Sequence, residues 1–129
     1  MNSGTMTVKN AVCKAKTRCI DNSGKMTIKS GSFTSTGTGI SAVKGMSNSN
    51  TVISGGTFCA NGAASNPDSF QYGGDSEPYA VLCGYNASMS IRGGKFTCPR
   101  KPEDKGVIGV SYAPKSFACT VQANVAKPA

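Results

Sequence analysis

Five stretches of this chain follow one short grammar, and that recurrence restricts the fold more than any other feature. They read "MTVKNAV" from Met6, "MTIKSGSF" from Met26, "TVISGGTF" from Thr51, "MSIRGGKF" from Met89 and a degenerate "CTVQANV" from Cys119. One column of this alignment holds Val8, Ile28, Ile53, Ile91 and Val121. Two residues earlier stand Met6, Met26, Thr51, Met89 and Cys119, and five residues later come Phe33, Phe58 and Phe96. The residues between point the other way: Thr7, Thr27, Val52, Ser90 and Thr120, then Lys9, Lys29, Ser54, Arg92 and Gln122. A period of two is the mark of a strand that buries one face. The column spacing of 20, 25, 38 and 30 residues is too irregular for hairpins with fixed loops. It suits a solenoid whose coils carry loops of different length.

A second apolar patch recurs within each interval: "RCI" near Ile20, "GISAV" near Ile40, "YAVLC" near Val81 and "GVIGV" near Ile108. Each coil is therefore expected to hold at least two strands. Gly31 and the pairs at 55–56 and 93–94 fall where the strand must bend before its Phe re-enters the core, a place where positive φ or a missing Cβ is useful. The 16 glycines, many Ser, Thr and Asn, and only 16% charged residues disfavour long helices. The expected fold is all-β: a single-stranded parallel β-helix (β-solenoid) of about five irregular coils with loop insertions. It would form one domain over residues 1–129, with an inserted loop at 60–79. An antiparallel sandwich would share the alternation and the turns, but it supplies no reason for a strand, a glycine bend and a Phe to recur together.

With their "ISGGTF"-type coils, residues from about Met6 to Val121 resemble the right-handed parallel β-helix proteins of the pectate-lyase-like superfamily, especially secreted bacterial surface proteins. The resemblance implies a fold and leaves the activity open, because such relatives include polysaccharide lyases and hydrolases, carbohydrate-binding modules, adhesins and phage tailspikes.

Six cysteines stand in a chain without histidine and without a CxxC pair, which removes the usual zinc sites, so no metal or other cofactor is expected. Disulfides in an oxidising, extracellular or cell-surface setting are the expectation, with buried free thiols as the alternative. Cys59 follows Phe58 directly and Cys98 follows Phe96 by two, which makes Cys59–Cys98 the expected bridge. Cys13 and Cys19 would close a short loop or reach the second coil, and Cys83 and Cys119 complete the candidates. "NAS" at Asn86 is the only glycosylation sequon. No apolar run approaches the roughly 20 residues that cross a bilayer. The start "MNSGTMTVKN" has neither a basic n-region nor an apolar h-region. The chain is expected to be soluble, without membrane insertion, and to be a mature form, an excised fragment or a protein exported by another route.

Fourteen Lys and Arg against six acids give a net charge of +8, which points to an acidic partner. Lys9, Lys29 and Arg92 share one outward column and form a candidate stripe for an anionic polysaccharide or cell-surface glycan. Basic residues on an exposed strand also discourage edge pairing, and that reading stands beside the first. Nucleic acid is disfavoured, since no recognition motif is present. The insertion contributes Asp68, Phe70, Tyr72, Asp75, Glu77 and Tyr79. Aromatics beside acids suit a sugar surface, but a loop of this length commonly covers the side or end of its own domain. Its acids lack the regular spacing of calcium loops.

Without histidine, general acid–base work would fall to carboxylates, Lys, Arg or Tyr. The resemblance implies that a lyase would show an Arg or Lys base beside calcium-binding acids on the strands, and here the acids lie in loops. A polysaccharide-active enzyme of that class is thus the third reading. The first is a non-catalytic module for surface adhesion or assembly that binds glycan or another anionic polymer. The second is a structural subunit associating end to end into a filament, because no terminal capping helix is visible and a head-to-tail contact need not close.

Overall fold

The computed structural model describes residues 2–37, 41–61, 79–98, 108–110, 114–121 and 125–126, and the strands below fall among them. The chain makes one pass through three sheets and then starts again. The first pass is β1 (Thr5–Val8), β2 (Ala11–Ala15) and β3 (Ile20–Asn22), and the second is β4 (Lys25–Ile28), β5 (Gly31–Ser35) and β6 (Val43–Gly45). β7 (Asn50–Ile53), β8 (Thr57–Ala60) and β9 (Val81–Cys83) follow, then β10 (Ser88–Ile91), β11 (Lys95–Thr97) and β12 (Ile108–Val110), and lastly β13 (Ser116–Cys119) and β14 (Val125–Ala126). Sheet 1 has the order β1-β4-β7-β10-β13, sheet 2 has β2-β5-β8-β11, and sheet 3 has β3-β6-β9-β12-β14. All neighbouring strands run parallel, and no helix occurs among the described residues. Each of the first four passes therefore has three strands, because the segment read as one bent strand is divided by its glycine turn between sheets 1 and 2.

Register accounts for the repeat. Val8, Ile28, Ile53 and Ile91 are direct partners on β1, β4, β7 and β10, and Met6, Met26, Thr51 and Met89 form the neighbouring file. In the last pass the alignment read from sequence is two residues out. Phe117 pairs with Met89 and Cys119 with Ile91, so Cys119 and not Val121 ends the isoleucine file. A slip of two leaves every side chain on the same face, and hydrophobic alternation cannot detect it. In sheet 3 the file is Ile20, Val43, Val81 and Ile108; Val43 holds the place assigned to Ile40, which lies outside the described residues.

The Phe file is continuous. Phe33, Phe58 and Phe96 stack with centroids 5.2 Å apart and interplanar angles of 13° and 9°. Such pairs add about 0.5–1.5 kcal/mol each beyond their buried area. Gly56 and Gly94 have φ of 113° and 115°, and a Cβ on either would lie 3.2 or 3.0 Å from the ring two residues on. Glycine thus serves both the bend and the ring, which is why the three features recur together. In the first pass the Phe position is Cys13, paired with Phe33 and joined by a disulfide to Cys19.

Thr51 interrupts a Met file, yet it is fully buried. Asn22 Nδ2 donates to its Oγ1 at 2.8 Å, and Asn2 Nδ2 donates to Asn22 Oδ1 at 2.9 Å. A polar thread crosses the strand spacing there, and its groups avoid the cost of about 1–3 kcal/mol for an unpaired buried donor or acceptor. At the outermost strand of sheet 1, Met6 stays 46% exposed although it belongs to the inward file.

Candidate ligand-binding face

Strand parity sends alternate residues of sheet 1 outward, in three files. The first is Thr5, Lys25, Asn50, Ser88 and Ser116, and the second is Thr7, Thr27, Val52, Ser90 and Ala118. The third lies just past the strand ends, where the amides of Lys29, Ser54, Arg92 and Thr120 each donate to the pass before; it contains Lys9, Lys29, Ser54, Arg92 and Thr120. All five residues of this third file are exposed. Lys9 and Lys29 are one strand spacing apart, about 4.8 Å, and Arg92 lies two spacings beyond Lys29. The outer files are separated by four residues, about 13 Å, and the file between them has short side chains.

Lys25 and Lys115 add to this arrangement and were not singled out from sequence. Lys25 stands immediately before Met26 in an outward position, a place legible from parity alone. Lys115 needs the true register of the last pass, where its amide donates to the Ala87 carbonyl at 2.9 Å. The face thus presents Lys9, Lys25, Lys29, Arg92 and Lys115. Asp21 is the one acid among the described residues; it lies on β3 of sheet 3 and pairs with Arg18 at 3.3 Å. None of the five cations makes an ion pair among the described residues. Among the described residues the charge over sheet 1 is therefore positive and uncompensated. The arrangement can hold an extended anion by charge while offering hydroxyls and an amide between the charges.

Sheet 3 differs on its outer side. Leu82 occupies the outward position between Lys44 and Gly109 and is only 1% exposed. A Cβ on Gly109 would lie 2.5 Å from the Tyr79 ring, so that glycine admits the ring against the sheet. Tyr79 is itself buried, with its backbone N–H donating to Ser41 Oγ at 2.9 Å. This end of the insertion covers the domain. Phe70, Tyr72, Asp68 and Asp75 lie outside the described residues, as does Glu77.

The cysteines correct one expectation. Cys59 and Cys98 are not bonded to each other. Cys59 pairs in register with Thr97, on the opposite face from buried Phe58 and Ala60, whereas Cys98 packs against the core. One residue of offset reverses the side, so the two sulfurs diverge. Cys13 and Cys19 do close a short loop. Cys119 packs at the edge of the core, and burial pushes the Cys83 thiol up to about 11. Asn86 of the sequon adopts φ 54° in a turn, its Nδ2 donating to Asn48 Oδ1 at 2.7 Å.

No helix among the described residues is long and apolar enough to cross a membrane. No group of three or more Cys, Asp or Glu suited to a metal ion occurs among them. No protein-family model matches the chain, and no match was found to a curated protein or to a solved structure.

Proposed function

We propose that the three sheets are the walls of one parallel β-solenoid of the pectate-lyase-like kind, and that it is a non-catalytic extracellular module for adhesion or assembly. Its ligand is an anionic polymer, with an acidic cell-surface glycan as the favoured class, lying on the outer face of sheet 1. The observation that carries this reading is the set of five exposed cations on one sheet face with no acid among its described residues. Export is supported by the Cys13–Cys19 disulfide, since such bonds persist in oxidising compartments.

Binding to immobilised dextran sulfate, with neutral dextran as reference, tests the reading. The chain is expected to bind the sulfated polymer, and binding should weaken as salt rises above about 0.15 M, because exposed charges are then screened within about 8 Å. Each exposed cation contributes about 0.5 kcal/mol, so replacing Lys9, Lys29 and Arg92 together by Gln should weaken binding about tenfold. Equal binding to both dextrans, or a triple variant that binds like the parent, would refute it.

A further inference from the structure

A groove of about 450 Å³ runs along the border of sheet 1 where the chain arrives from sheet 3, and Gly4, Lys25, Asn50, Ser88 and Lys115 line it. Its size falls within the roughly 300–1,000 Å³ of ligand sites, but its lining is polar where such sites are mostly apolar. Lys25, Asn50 and Ser88 are direct register partners on β4, β7 and β10, and Lys115 immediately precedes β13. The groove therefore follows the stacking direction. Its two cations stand three strand spacings apart, about 14 Å, with a neutral amide and a hydroxyl between them.

Two further observations bear on its use. The side chains of Lys25, Asn50, Ser88 and Lys115 make no hydrogen bond or ion pair among the described residues, so their bonding capacity faces outward. Gly4 has no structural reason to be glycine. It is not among the residues with positive φ, and a Cβ there meets nothing within 4 Å. By contrast, a Cβ on Gly24, which also lines the groove, would collide with the Gly4 carbonyl. What glycine at position 4 preserves is open space at the rim.

We propose that this groove holds a strand of acidic glycan running along the stacking direction. Its anionic groups meet Lys25 and Lys115, and its hydroxyls exchange hydrogen bonds with Asn50 and Ser88. The inference rests on the anionic-polymer reading above and adds to it an address, a direction and the sugar chemistry. A bare polyphosphate would satisfy the two cations but can only accept hydrogen bonds, so the Asn50 Oδ1 would find no donor in it, and a neutral glycan would leave the two cations without an anion. Hydrogen bonds that replace water contribute modestly, so Asn50 and Ser88 set selectivity while the lysines set affinity.

Fluorescence polarisation with short fluorescein-labelled dextran sulfate oligosaccharides, and with labelled polyphosphate in parallel, tests it. Gly4→Leu fills the rim without changing charge and should weaken oligosaccharide binding about fivefold, with an unchanged thermal transition showing that the fold survives. Lys25→Gln with Lys115→Gln should weaken both probes about fivefold. Asn50→Ala with Ser88→Ala should cost the oligosaccharide about threefold and leave polyphosphate within twofold. If the Gly4 and lysine variants bind like the parent while the Lys9, Lys29 and Arg92 variant does not, the sheet-face reading stands and the groove is refuted. Equal losses for both probes in the Asn50 and Ser88 variant would refute the glycan assignment. Failure of the parent protein to bind either probe refutes the groove together with the anionic-polymer reading.

Discussion

Sheets 1 and 3 each contain five parallel strands and bury the same kind of inward file, yet their outer faces have opposite fates. On sheet 1 the outward positions carry Lys25, Thr27, Lys29 and Arg92 with no covering element among the described residues. On sheet 3 the outward Leu82 is buried and Gly109 lies under the Tyr79 ring. The same backbone ladder therefore supports a cationic surface that no described residue covers on one wall and a second packed layer on another. What differs is side-chain size and charge in a single parity class. Among the described residues nothing covers sheet 1, whereas the middle of sheet 3 is already occupied by the chain itself.

The contrast breaks most visibly at matched apolar positions. Leu82→Ala should lower the free energy of unfolding by about 2–4 kcal/mol, because it leaves a cavity under a packed layer. Val52→Ala, at a half-exposed outward position of sheet 1, should cost below about 1 kcal/mol. Urea denaturation measures both, and equal costs would mean that the two faces are not differently packed.

A smaller effect concerns the end of β9. Cys83 is fully buried, and its thiol is held up at about 11 by desolvation from an ordinary value of 9.0. The unfolded chain ionises this thiol first, so the folded state binds more protons between about pH 9 and 11 and loses stability as pH rises through that window. The loss is of the order of 2 kcal/mol by pH 11, and the stability of Cys83→Ala should fall less over the same range. Unfolding midpoints of the two proteins from pH 8 upward give the comparison, and parallel pH profiles would contradict the burial.

Much of sheet 1 was legible from residues. The aliphatic file, the Met file and the Phe file each recur at a fixed offset, and Gly31, Gly56 and Gly94 mark the bends because a residue with a Cβ would not combine their φ with the ring two residues on. The third strand of each pass was harder to read, since its few residues around Ile20, Val43 and Val81 give one apolar patch and no periodicity. Register errors explain the rest. A two-residue slip around Phe117 is invisible to alternation, and a one-residue offset separated Cys98 from Cys59. Lys115 could not be placed until that slip was corrected. The burial of Tyr79 depends on contact with Gly109, some thirty residues away in sequence, which no local pattern encodes.

Lysine footprinting by acetylation and mass spectrometry, with and without bound dextran sulfate, tests most directly whether sheet 1 is the working face. Lys9, Lys25, Lys29 and Lys115 should be protected by the polymer, while Lys44 on sheet 3 and Lys14 and Lys16 at the end of sheet 2 should react as before. Protection spread evenly over all seven, or confined to Lys14, Lys16 and Lys44, would contradict the account.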